Sequence, residues 1–83
     1  MKPGAFGKAL GDRIARARGM RRIRQSAVAE VCGVDPSAVS LWETGRRVPD
    51  ARHLRDAAVF LNVSVDWLLS LSGGPHLPEV LNR

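Results

Sequence analysis

Residues 25–45 read QSAVAEVCGVDPSAVSLWETG, and this stretch decides the fold. Val28, Val31 and Cys32 recur at helical spacing, which gives a first short helix one apolar face. Gly33 follows, a residue that accepts turn conformations in which a side chain would be strained. Asp35-Pro36 restarts the chain, because an aspartate can cap free amide groups and proline is tolerated at the first helical position. A second helix is predicted over residues 36–44, with Val39 and Trp42 facing inward and Gly45 as a left-handed stop. Stepping about 100° per residue puts Ser37, Ser40, Leu41 and Thr44 on its outward arc, with Ala38 on the flank.

The rest of the chain reads as support. Residues 1–7 contain Pro3, Gly4 and Gly7 and are expected to form a loose basic arm, with Lys2 and the following Lys8 reaching a phosphate or the terminus simply solvated. A helix is predicted over residues 8–19, with Leu10, Ile14 and Ala17 on one face and Arg13 and Arg16 turned away. Asp50 is expected to cap a helix over Ala51–Leu61, with Leu54, Ala57, Ala58 and Leu61 inward and Asn62 near its end. Ser64 is expected to cap a last helix over residues 65–71, where Val65, Leu68 and Leu69 close the core. Trp67 falls about a quarter-turn off that stripe and is expected to be half exposed, as a contact between two copies. Residues 72–83 begin with a Ser-Gly-Gly-Pro breaker and carry Leu77, Val80 and Leu81, which can fold back, swap onto a partner or hang free.

The 83 residues make one domain, with a core small enough that every apolar stripe must be used. The net charge is +5, which favours a polyanionic partner, nucleic acid before an anionic membrane. The charge is uneven, with eight of the thirteen basic residues before residue 25. A single cysteine forbids an internal disulfide and fits a reducing compartment, and Cys32 on the apolar stripe reads as an inert core thiol. No apolar run reaches the length of a membrane span. His53 and His76 show no ligand spacing with Cys32, so no metal is expected. No paired carboxylates, nucleophile–base set or glycine-rich phosphate loop point to an enzyme or to a cofactor.

The central stretch resembles the helix-turn-helix of the Cro/CI-type (lambda-repressor-like) DNA-binding family. Gln25, Val28-Ala29, Gly33-Val34, Val39-Ser40, Trp42-Glu43, Gly45 and Pro49 carry the resemblance, in register and without gaps, and it extends over residues 9–71. Each has a mechanical reason: Ala29 lets two helices approach, Gly33 makes the turn, and Val39 plugs the space between the helices. The resemblance implies an all-α fold of five short helices around one core. It implies that the outward arc of the second motif helix enters a major groove of double-stranded DNA. That arc contains no Arg, Lys, Asn or Gln, the residues of strong bidentate base contacts. Ser37, Ser40 and Thr44 would each make one permissive hydrogen bond, and Leu41 and Ala38 would pack on thymine methyl groups, so DNA shape and site spacing gain weight.

The same resemblance assigns phosphate contacts to Gln25 at the start of the first motif helix and to Arg46 and Arg47 in the loop after the second. It pairs Arg18 with Glu43 as a partly buried structural ion pair. One segment departs from the family. Where relatives have a glycine, an aliphatic residue and a hydroxyl residue before the glutamine, this chain has Arg22, Ile23 and Arg24. Arg24 cannot cap as a hydroxyl does, and Arg21, Arg22 and Arg24 lie close to where family members touch the DNA backbone, so Arg22 and Arg24 are read as further phosphate contacts, or the segment as a solubilising basic turn. The function implied is a bacterial or phage transcription regulator, chiefly a repressor, in the cytoplasm and nucleoid, binding a near-palindromic operator as a homodimer. The alternative is an antitoxin-like or adaptor protein that uses the fold to bind a protein such as a toxin or polymerase, through Trp67 and the apolar tail.

Overall fold

The structure, a computed structural model, describes residues 3–71. Among them are five helices and no strand: α1 (Pro3–Met20), α2 (Gln25–Cys32), α3 (Pro36–Glu43), α4 (Ala51–Leu61) and α5 (Val65–Leu68). The all-α, five-helix expectation is what the chain adopts. Three of the caps are the predicted ones. Asp35 accepts from the Ser37 amide at 2.8 Å, Asp50 from the His53 amide at 2.8 Å, and Ser64 from the Trp67 amide at 2.9 Å. Gly33 (φ 72°) ends α2 and Asn62 (φ 56°) ends α4, both in the left-handed region.

Helices α1 and α2 both pack on α3, α4 packs on α2, and the single turn of α5 sits against α4 and α1. Leu10, Ile14, Val28, Val39, Leu61 and Leu68 are the largest fully buried side chains, so every helix contributes to one core.

Four expectations are corrected. First, α1 starts at Pro3, so residues 3–7 belong to the helix and not to a loose arm. The apolar spacing continues backward from Leu10 to Phe6, which is half-buried on the core, and Gly7 is buried against the loop after α3. Second, Val31 is 44% exposed, because the buried stripe of α2 is Val28, Ala29 and Cys32. Ala29 turns the stripe away from Val31, which lines a shallow groove with Val59 and Phe60. Third, α5 stops at Leu68, Ser70 takes a left-handed φ of 66°, and Leu71 is exposed. Fourth, Trp67 is only 5% exposed and belongs to the core, so it is not a surface for a second copy or a partner. The short α5 lays its ring inward, and the Arg13 guanidinium covers it 5.7 Å from the ring centroid while donating to Ser70 Oγ at 2.7 Å. The other proposed dimer contacts, Leu77, Val80 and Leu81, lie outside the described residues.

Candidate nucleic-acid interface

The position of α3 is set by backbone contact as much as by side chains. Gly11 lies in the middle of α1, where a Cβ would stand 2.1 Å from the Trp42 carbonyl oxygen and 2.8 Å from that of Glu43. Gly45 (φ 79°) meets α1 from the other side, since its Cβ would lie 2.8 Å from the Lys8 Cα. The end of α3 is therefore seated directly on the α1 backbone. Sequence reasoning missed Gly11; the available signal was a glycine inside a helical pattern, which is destabilising unless something must come close.

Beneath this seat is a polar lock. Arg18 donates through Nε to Glu43 Oε2 at 2.7 Å and through Nη2 to Glu43 Oε1 at 3.0 Å. Its third nitrogen, Nη1, reaches the Ile23 carbonyl oxygen at 3.0 Å. Gln25 Nε2 adds a bond to Glu43 Oε1 at 3.1 Å. The side chains are largely withdrawn from water, Arg18 at 25% and Glu43 at 9% exposure. The hydrogen bonds to Glu43 raise the Arg18 pKa, with the carboxylate charge adding and burial opposing. The expected pair is present, and it joins α1, the α1–α2 corner, α2 and α3. Gln25 is a member of this lock, which the sequence alone did not indicate.

With its inner side fixed, α3 leaves the opposite side at the surface. Ser37 and Thr44 are exposed, and Ser40 and Leu41 are half-exposed. Ala38 is half-buried and packs on the core, so less of its methyl is offered than its flanking position implied. Thr44 Oγ1 donates to the Leu41 carbonyl oxygen at 3.2 Å, leaving its lone pairs to accept. That carbonyl also accepts from the amides of Arg46 at 3.0 Å and Arg47 at 3.2 Å, which holds the loop against the end of α3.

Exposed arginines lie near the end of α3. Arg46 and Arg47 follow α3, and Arg21, Arg22 and Arg24 form the α1–α2 corner; none makes an ion pair among the described residues. Arg24 occupies the N-cap position of α2 without a side-chain cap bond. The Gln25–Glu43 bond brings this corner beside the end of α3. Neutral hydroxyls and a leucine with exposed arginines near one end can meet a surface with polar edges and methyl groups bordered by anions.

Cys32 is buried, donating weakly to the His53 carbonyl oxygen at 3.6 Å. Burial pushes its thiol pKa up, which suits an inert thiol. Among the described residues no cluster of metal-ligating side chains is present, and no helix is long and apolar enough to cross a membrane.

Two short helices packed on each other and joined by the turn at Gly33, with one side of the second open to solvent, define a helix-turn-helix protein. A helix-turn-helix family model matches residues 14–68. The chain is 35% identical over 60 residues to the repressor protein C2 of Salmonella phage P22, and 30% identical over 74 residues to the transcriptional activator BcrR of Enterococcus faecalis. These stretches cover 72% and 89% of this chain but 28% and 36% of the relatives, so the chain spans about a third of their length. It is also 36% identical over 58 residues to the transcriptional regulator YazB of Bacillus subtilis, covering 70% of this chain and 84% of that one. The crystal structure of the P22 c2 repressor in complex with a synthetic operator superposes with a TM-score of 0.71 at 33% identity, over 76% of this chain and 96% of that one. The chain belongs to the Cro/CI-type helix-turn-helix family.

Proposed function

We propose that this chain regulates transcription by binding double-stranded DNA, with the outer side of α3 in the major groove. The observation that carries this is the surface position of Ser37, Ser40, Leu41 and Thr44 on α3, with two sets of arginines near the end of that helix that make no ion pair among the described residues. The match to a repressor solved on its operator supports the same reading. Ser37, Ser40 and Thr44 hydrogen-bond base edges, Leu41 and the open edge of Ala38 touch thymine methyl groups, and Arg46, Arg47, Arg24, Arg22 and the start of α2 at Gln25 hold phosphates. Gln25 then acts twice, fixing Glu43 and presenting the helix end. The site is a near-palindrome bound by a homodimer, with half-sites about 34 Å apart, and repression follows from excluding polymerase.

Selection of bound duplexes from random DNA, followed by titration at several salt concentrations, tests the reading. The expected result is an inverted repeat and an affinity that falls steeply with salt. Single half-sites would remove the homodimer, and an affinity indifferent to salt would remove DNA altogether.

A further inference from the structure

Each of the four turns between the helices contains a residue with left-handed φ. Gly33, Gly45 and Asn62 are types that adopt it at low cost, but Arg22 (φ 55°) at the α1–α2 corner is not. Its backbone is held there by the Arg22 amide on the Gly19 carbonyl at 3.1 Å and the Ile23 amide on the Arg18 carbonyl at 3.0 Å. The remaining left-handed residue, Ser70 (φ 66°), has its hydroxyl bound by Arg13. Arg22 has no such compensation: its side chain is exposed and makes no hydrogen bond or ion pair among the described residues. Arg21 and Arg24 beside it add like-charge repulsion. Solubility alone would be served by Arg21 and Arg24, which carry no backbone strain.

We propose that Arg22 is a DNA-phosphate clamp kept in a strained backbone position at the expense of fold stability. This rests on the DNA-binding reading above. The corner lies close enough: Arg22 is three residues from Gln25, whose side chain touches Glu43, the neighbour of the exposed Thr44. A long, permanently charged side chain spans the remaining gap to a phosphate beside the groove that α3 enters. The strain is compensated only in the complex, so stability and binding oppose each other at this one position.

Three variants of the full chain separate these contributions, each measured by thermal melting without DNA and by salt titration against a random-sequence duplex. Arg22→Gly is expected to melt roughly 4 °C higher. The same variant loses about one unit of salt slope and about eightfold in affinity at 0.1 M salt. Arg22→Ala, which keeps the strain and removes the charge, shows the slope loss without the rise in melting temperature. Arg22→Lys keeps the wild-type slope. A normal wild-type slope left unchanged in Arg22→Gly and Arg22→Ala overturns the clamp, and an Arg22→Gly variant that melts no higher overturns the strain. A wild-type chain that ignores salt sinks the DNA reading itself, a result distinct from both.

Discussion

Gln25 and Glu43, at the start of α2 and the end of α3, are joined by a 3.1 Å hydrogen bond on the same carboxylate that Arg18 grips with two nitrogens. Three helices thus share one acid. Their relative positions depend on a group that cannot be removed without stranding a guanidinium and an amide.

Glu43→Ala is therefore expected to destabilise the fold by about 2 kcal/mol, below the cost of a fully buried pair because Arg18 retains some contact with water. Glu30→Ala, on the exposed side of α2, is the control and should change stability by less than about 0.5 kcal/mol. Chemical denaturation of both reports the difference; equal midpoints would show that the lock contributes nothing.

Two glycines of α1 are expected to respond with opposite sign. Gly11→Ala drives a methyl into the Trp42 and Glu43 carbonyls and should cost about 2 kcal/mol or more, with α3 displaced. Gly19→Ala meets nothing within 4 Å and should stabilise the helix by about 0.5 kcal/mol. Melting curves check the signs, and a Gly11→Ala protein as stable as the parent would contradict the close seat of α3 on α1.

Arg46 and Arg47 are held beside α3 through their amides on the Leu41 carbonyl. Replacing either by alanine should weaken binding about equally on all DNA sequences and lower the salt slope by about one unit. Salt titration on selected and random duplexes reads this directly. A loss confined to the selected site would make these residues base readers.

The carboxylates of Asp35 and Asp50 are held below the usual range by the amides of Ser37 and His53 that they accept from. A carboxylate whose folded pKa is depressed stabilises the fold above its unfolded value of about 4, and that stabilisation disappears as the pH falls through the folded pKa. The double variant Asp35→Asn/Asp50→Asn keeps capping side chains that do not titrate. Between pH 5 and pH 3, on the order of the unfolded Asp value, it should lose less melting temperature than the parent. Parallel melting curves would show that the caps do not govern the acid limb.

Local chemistry was readable from the sequence. Asp35-Pro36, Asp50 and Ser64 start helices because their side chains satisfy amides one turn away. The Arg18–Glu43 pair and the open arc of α3 followed from spacing and from the family pattern. What the sequence left open depends on how whole helices meet. Trp67 is buried because Arg13, from the other end of the chain, lies over its ring, and no periodicity within α5 contains that fact. Val31 is at the surface because Ala29 lets α2 roll toward its neighbours. The need for Gly11 arises from two carbonyls that are distant in sequence, and the strain at Arg22 from a turn closed by backbone hydrogen bonds. Helix ends are local events within a few residues, whereas burial and close approach are properties of the packed assembly, so only the tertiary structure decided them.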